Sequence, residues 1–568
     1  MLSGRLRQQT ARAMTSVTID PVHAVINQST PLEDFDPFRG DRALREALVR
    51  EGGGWAAAAL GEAARLFASR QTMELARLAN RQPPELHSHD RYGRRLDRVD
   101  FHPAWHQLLA MAIERGIVAL PWQSPAAGSH VARAALFYLY SQTETGTQCP
   151  IAMSYGAVPV LQRCSADLPQ IDTVWLPKLL SREYDARFLP AVEKRGVLFG
   201  MGMTERQGGS DVRRNITQAR ALGRRAPGEA YAITGHKWFL SAPMCDAFLV
   251  LAQAEGGISC FLVPRFLDDG SQNMVLLQRL KDKLGNHSNA SCEVEFHAAT
   301  GFLLGDEGRG VPTIIEMATY TRLDCVLATA GMQRRALSVA LHHAAQREAF
   351  GARLIDKPLM AMVLADLALE AEAATSLALF LAHCFEPAAP ESRQLLGRLL
   401  TPAAKFHVCK RGPQFAAEAI EVLGGNGYVE DIDLPRIYRE MPLLSIWEGA
   451  GNVMCLDVLR VAAREPASID ALRDTLHGVR GSNADLDAFI ERLTKRLRQP
   501  GEADGRTVAH GIALAVQAAL LVQYAPGTLG EAFCRSRLAG DDGWGASFGT
   551  LPPGTAVRAI IERAAAGA

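Results

Sequence analysis

The spacing of apolar residues changes character twice along this chain, and any fold must accommodate both changes. From about residue 40 to 190 the spacing is helical: Asp41 and its neighbours open a periodic run, residues 56–78 are rich in Ala, Leu and Glu, and residues 131–140 place apolar side chains three and four apart. Pro83-Pro84 and Ser124-Pro125 punctuate that region. From about Gly196 the chain breaks into short runs such as Val-Leu-Phe-Gly-Met-Gly-Met, Ala-Tyr-Ala-Ile-Thr and Ile-Ser-Cys-Phe-Leu-Val-Pro. Gly, Pro and Asp separate them, which reads as a β domain ending near Phe296. Helical spacing returns at Val311 in long Ala- and Leu-rich segments to Phe385, and again over 401–423, lengths that suit a bundle. The expected fold is mainly α with a central β domain. Its parts are a leader over 1–39, a helical N-terminal domain over 40–195, the β domain over 196–300, a helical bundle over 301–463 and a helical extension over 464–568.

At 568 residues and 48% hydrophobic content the chain can bury a substantial core. Its 61 basic and 61 acidic residues cancel, so nucleic acid or a membrane surface could be met only by a local patch. Ten scattered cysteines without a C-x-x-C pair read as reduced thiols in a cytoplasmic protein, with neither zinc nor disulfides implied. His102 and His106 stand four apart as on a metal-binding helix, but no third ligand is near, and no metal is expected. The apolar run 511–524 is too short to span a bilayer and suits a core helix. Arg5, Arg7 and Arg12 precede any acidic residue, a composition shared with transit peptides; a disordered native leader or an upstream start-site artefact is the favoured reading.

Chemistry concentrates in three stretches. In residues 439–452, Glu448 follows Ile446 and Trp447 and precedes Gly449, a setting that excludes water, raises a carboxylate's pKa and lets the backbone approach a bulky ligand. Either a general base or a plain helix N-terminus, with Glu448 in its first turn, fits that pattern. Thr204 to Ser210 offers hydroxyls, amides and the Gly208-Gly209 pair, an inventory able to hold a polar ring edge and a pyrophosphate. The third stretch is Glu-Val-Leu-Gly-Gly-Asn-Gly-Tyr, 421–428. In the extension, Phe489, Ile490, Leu493 and Leu497 form an apolar stripe, with Arg492, Lys495 and Arg496 on another face and Arg498 adjacent. That face is either a solvated surface or a contact for phosphates.

Together the three stretches resemble the acyl-CoA dehydrogenase family, and in finer detail its AidB-type branch. The likeness runs on through Gly-His-Lys-Trp-Phe-Leu-Ser (235–241), the segment 281–296 and Thr-Pro-Ala-Ala-Lys-Phe (401–406). The resemblance implies a β-barrel-like middle domain and FAD as cofactor. Met201, Met203, Gln207, Gly208 and Gly209 would contact that FAD, with Thr204 at the flavin ring and Ser210 at the pyrophosphate. Phe239 and Leu240 would pack on the isoalloxazine, and the Ser241 hydroxyl would lie near N5. Arg347 would meet the pyrophosphate of a neighbouring subunit's FAD, with Phe350 beside it and Gly424-Gly425 against the adenosine. Ile446, Trp447, Gly449 and Asn452 would flank Glu448, the base that deprotonates the carbon beside a thioester carbonyl. The alternative family position for a base holds Thr321, ahead of Arg322, and cannot serve. Glu421, Arg206 and Arg213-Arg214 depart from the family pattern. The resemblance further implies an acyl-CoA substrate, a homotetramer built as two dimers, no membrane partner, and double-stranded DNA contacts at Arg460, Arg492, Lys495, Arg496 and Arg498 in the response to alkylation damage. The alternative is a metabolic dehydrogenase of short or branched acyl-CoAs with no DNA role.

Overall fold

The computed structural model of the protein describes residues 24–540 and 545–565; the leader arginines, in 1–23, lie outside the described residues. The N-terminal domain opens with helix Arg42–Arg50, capped by the Asp41 side chain, which accepts from the Leu44 amide at 2.9 Å. The stretch 56–78 divides into helices Ala57–Phe67 and Arg70–Arg81, because the Ser69 hydroxyl accepts from the Thr72 amide and caps the second. A hairpin then interrupts the expected run of helices: β1, Glu85–His89, pairs antiparallel with β2, Arg95–Asp100. Its strands are rich in charge and lack a β-branched apolar run. They hold through the middle domain instead, where Asp97 accepts from the Leu277 amide at 2.8 Å and Arg95 donates to the Leu277 carbonyl at 2.8 Å. Helices Pro103–Glu114, Ser129–Ser141 and Gln148–Cys164 complete the domain.

The middle domain is built from β3 (Phe199–Gly202), β4 (Gln218–Ala221), β5 (Ala230–Ser241), β6 (Ala247–Ala254), β7 (Gly257–Pro264), β8 (Val275–Leu280) and β9 (Ser291–Leu304). The strand order is β3-β6-β4-β5-β9-β7, with β8 on β9. A further β6–β7 pairing closes this path into a barrel. The two motifs 230–234 and 235–241 lie on one strand, β5, which passes from the barrel core to the face that meets the helices.

Three long helices, Gly310–Gln346, Pro358–His383 and Glu391–Leu423, form the bundle. The third begins ten residues before the expected Thr401 and carries Pro402 and Pro413 inside it. Burial of the segment 399–406 on all sides overrides the local penalty of a proline in a helix. In the extension, helices Pro466–His477, Gly505–Tyr524 and Val557–Ala565 pack against the bundle, and helices Ala484–Arg496 and Gly527–Arg537 pack on Gly505–Tyr524. Gly505–Tyr524 starts six residues before the apolar run noted in the sequence. It is long and apolar enough to cross a membrane by composition, yet most of it is buried inside the protein.

Candidate functional site

Helix Leu434–Leu444 ends and helix Gly451–Arg464 begins on either side of a tight turn. Glu448 occupies that turn with φ of +58° and Gly449 with φ of +105°, so Glu448 precedes the helix and does not sit in its first turn. Left-handed backbone at a glutamate is unfavourable and must be held by its surroundings. Two cations hold it. Arg322 Nε donates to the Glu448 carbonyl at 3.0 Å while its other end pairs with Asp457 at 2.7 Å, and Lys405 Nζ donates to the Gly449 carbonyl at 2.7 Å. A side chain at Gly449 is disfavoured by that φ, which L residues rarely adopt, and its Cβ would also displace the end of Met454.

Glu448 is half-buried as a residue, but its carboxyl group is enclosed. The Thr321 hydroxyl donates to Oε2 at 2.7 Å. Burial pushes the carboxyl pKa above its ordinary value, against the opposing pull of Thr321, Lys405 and Arg322. The group faces a narrow cavity of about 30 Å³ walled by Phe137, Cys149, Met153, Met332, Leu444 and Trp447. Among the described residues the Glu448 amide has no hydrogen-bond partner, and neither has Trp447 Nε1.

Opposite this turn stands the edge of the barrel. Side chains alternate along β5, so Phe239 is 46% exposed, Leu240 is fully buried in the barrel, and Ser241 returns to the outer face with its hydroxyl 3.2 Å from that of Ser291. Leu240 can therefore offer a cofactor only its backbone. Below lies the loop after β3, fixed by an ion pair that the sequence reading did not identify: Lys237 and Glu205, both fully buried, meet at 2.7 Å. Glu205 also accepts from the amides of Ile216 and Thr217 and from Gln207 Nε2, so the Gln207 side chain is engaged within the loop. A Cβ at Gly209 would lie 2.3 Å from Thr204 Oγ1, so only glycine lets the loop fold over Thr204. The amides of Gly209 and Ser210 have no partner among the described residues, and Met201 and Met203 are half-buried beside them. An exposed aromatic wall, a hydroxyl edge and free amides form a donor set that fits a flavin and its phosphates.

Other expected contacts lie elsewhere. Arg347 follows Thr321 by 26 residues of nearly continuous helix, about 39 Å at 1.5 Å per residue, so both cannot serve one site within a chain. Its guanidinium donates to the Asn27 carbonyl, and the neighbouring Phe350 is 97% exposed. Gly424, at φ of +62°, ends helix Glu391–Leu423, and neither it nor Gly425 has an atom within 4 Å of where a Cβ would sit. Ile446 is exposed, and Asn452 accepts from Arg506 Nε at 2.8 Å. Arg460 pairs with Asp457, and Arg492 donates to the Leu538 carbonyl at 2.7 Å. Lys495, Arg496 and Arg498 are exposed, with no ion pair among the described residues. His102 caps a helix and His106 bonds Tyr184, and no group of metal ligands occurs among the described residues.

Residues 27–186 match the adaptive response protein AidB N-terminal domain, 200–299 the acyl-CoA dehydrogenase middle domain and 308–463 the acyl-CoA dehydrogenase C-terminal domain. The chain is 48% identical over 517 residues to AidB of Escherichia coli (strain K12), covering 91% of this chain and 94% of that protein. It is an AidB-like member of the acyl-CoA dehydrogenase family. The Caenorhabditis elegans ACDH-11 structure in complex with C11-CoA shares its fold, with a TM-score of 0.80, 24% identity, and 98% and 95% of the two chains covered. So does a Bacillus anthracis acyl-CoA dehydrogenase complexed with FAD, with a TM-score of 0.60, 19% identity, and 76% and 80% covered. In this AidB-like chain the supports of Glu448 were only partly visible beforehand. Lys405 sits in the Thr-Pro-Ala-Ala-Lys-Phe stretch as a lone charge among buried residues, which was the available signal.

A carboxylate whose folded pKa is raised favours folding below its unfolded pKa, and that contribution is lost as pH rises through the folded value. Glu448→Gln, which can still accept from Thr321, is therefore expected to raise Tm at pH 8 and to leave it nearly unchanged at pH 4.5. Equal shifts at both pH values in thermal melts would contradict an enclosed, ionisable Glu448.

Proposed function

We propose that this protein is an FAD-dependent oxidoreductase that removes a proton and a hydride from adjacent carbons of a short or branched acyl-CoA. The observation that carries this reading is the Glu448 carboxyl, enclosed against an apolar cavity with a hydroxyl and no cation on its oxygens. Glu448 Oε takes the proton from the carbon next to the thioester carbonyl, and the Glu448 amide, which has no partner among the described residues, would donate to that carbonyl oxygen as charge develops on it. Bound FAD supplies the hydride acceptor. Phe239 and Ser241 would hold its ring, the Gly209 and Ser210 amides its phosphates, and Trp447 would keep water from the reacting carbons.

Anaerobic mixing of the FAD-loaded protein with isovaleryl-CoA should bleach the visible flavin band, and Glu448→Gln should slow bleaching by about 10²- to 10⁴-fold. A flavin that stays oxidised with every short and branched thioester would refute the enzymatic reading.

Exposed apolar side chains at Phe350, Leu359 and Tyr428 support self-association into a tetramer of two dimers, in which Arg347 and Gly424-Gly425 would complete a neighbour's cofactor site. Light scattering should then return a mass near four chains of 61.6 kDa, whereas a monomer would remove the role of Arg347. The ten buried free thiols suit a reducing cytoplasm.

The unpaired cations Lys495, Arg496 and Arg498, at the end of helix Ala484–Arg496, favour a second role: contact with double-stranded DNA in the response to alkylation damage. Arg460 and Arg492 are already engaged and would add less. If the three meet phosphates, a variant with all three changed to Gln should lower the log–log salt slope of duplex binding by about 2.7. An unchanged slope, or no binding at low salt, would leave the dehydrogenase reading alone.

A further inference from the structure

Residues 24–36 form neither helix nor strand, yet long-range hydrogen bonds tie this segment to the far part of helix Gly310–Gln346. Ser29 Oγ lies 3.0 Å from His343 Nδ1, the Thr30 amide donates to Gln346 Oε1 at 3.0 Å, and Arg335 donates to the Leu32 carbonyl at 3.2 Å. Beyond that helix the chain reverses through Phe350 and Gly351, at φ of +50° and +77°, in a hairpin that pairs Glu348 with Arg353 and Ala349 with Ala352. A hairpin of two residue pairs is too short to be stable by itself, so its placement has to come from outside it.

Asn27 supplies that support. Its side-chain amide carries both an acceptor and a donor, and it takes both backbone groups of one residue: the Glu348 N–H donates to Oδ1 at 2.7 Å, and Nδ2 donates to the Glu348 carbonyl at 2.8 Å. Asn27 stands at φ of +51°, a left-handed conformation that asparagine tolerates better than most side chains. Its own carbonyl accepts from Arg347 Nη1. Nε and Nη2 of Arg347 are open to solvent and have no partner among the described residues, and no carboxylate there pairs with this side chain. A guanidinium held by one terminal nitrogen and free along its Nε–Nη2 edge presents the two parallel donors that a phosphate accepts, with part of its rotamer freedom already lost. The next residue, Gln28, accepts from Asn426 Nδ2 at 3.1 Å, which joins the same segment to the turn that begins at Gly424-Gly425.

We infer that Asn27 is a positioning residue for the cofactor site of a neighbouring subunit: it holds the hairpin through Glu348 and Arg347 by one arm, so that the free edge of Arg347 is preset for the pyrophosphate of that subunit's FAD. This role rests on the reading in which Arg347 and Gly424-Gly425 complete a neighbour's site. Ser29, Thr30 and Leu32 keep their own partners when Asn27 is changed, so the segment remains anchored.

Titration of the deflavinated full chain with FAD, followed by flavin fluorescence, tests the role with Asn27→Gly, which accepts the left-handed backbone and removes the side chain. Asn27→Gly should weaken FAD binding about tenfold and Arg347→Gln about a hundredfold, and the double variant should be no weaker than Arg347→Gln alone. A residue that merely supported the fold would instead cost its own tenfold or so in both backgrounds. Light scattering should give Asn27→Gly the same mass as the unaltered chain. Additive losses, a reduced mass for Asn27→Gly, or an unchanged FAD affinity in that variant while Arg347→Gln weakens it would overturn the role of Asn27 alone. Unchanged affinity in Arg347→Gln would overturn the neighbouring-subunit reading and, with it, the role of Asn27.

Discussion

The arrangement around Glu448 depends on where its neighbouring cations do not go. Arg322 and Lys405 are close enough to pull on the carboxylate, yet they bond the carbonyls of residues 448 and 449, and Arg322 pairs at its other end with Asp457. A guanidinium bonded directly to the carboxyl oxygens would hold its pKa low and leave a poor base. Placed on the backbone, the same charges hold a left-handed turn that glutamate would otherwise avoid, while Thr321 supplies a neutral hydrogen bond to the carboxyl. Stability of the turn and basicity of its side chain are thus separated onto different atoms.

That separation needs rigid supports, which explains the unusual length and apolar character of the bundle helices. Thr321 and Arg322 sit on Gly310–Gln346 and Lys405 on Glu391–Leu423, helices buried over most of their circumference and packed on each other. Further along the first helix, the fully buried Arg133 pairs with Asp324 and donates to the Ile117 carbonyl at 2.8 Å, tying the same turn of helix to the N-terminal domain. A buried pair of this kind adds little net stability, but breaking it leaves an unpaired charge, so it fixes one docking of the two domains. On the barrel side, Lys237 and Glu205 do the same for the loop that carries Thr204.

How much of this could be read from the chain follows from how local each feature is. The strand runs, the glycines at 208, 209 and 449, and the pairing of a carboxylate with Trp447 are local patterns, and motif resemblance supplied roles for them. Hairpin β1–β2 was not legible, because its strands are held by the Leu277 backbone some 180 residues away. The helix through Pro402 was hidden by a proline that only tertiary burial tolerates. Side-chain direction was also beyond the motif: the resemblance placed Leu240 at the cofactor, whereas strand alternation turns it into the barrel between Phe239 and Ser241. Lys237 and Lys405 stood out in apolar stretches, but their partners lie 32 and 44 residues away, so no spacing rule pointed to them.

The extension beyond residue 464 is chemically part of the bundle. Glu370, on helix Pro358–His383, accepts both arms of Arg411 at 2.9 Å and is joined by Arg537 of the extension, which also reaches Asp366. Against the upward push of burial, these cations hold the Glu370 pKa far below the ordinary carboxylate range. Next to them His407 meets His510 at 3.0 Å and Gln517 at 2.9 Å, and Arg563 binds Glu372 and Glu46 from the last helix. Removing the extension would strand the buried Asp366 and Glu372 without an arginine and leave Glu370 with Arg411 alone, so the family core in this chain is not an independent unit with a detachable appendage. A surface contact made by the extension is therefore mechanically continuous with Lys405, on the helix that also carries His407 and Arg411, and through Lys405 with the turn that holds Glu448.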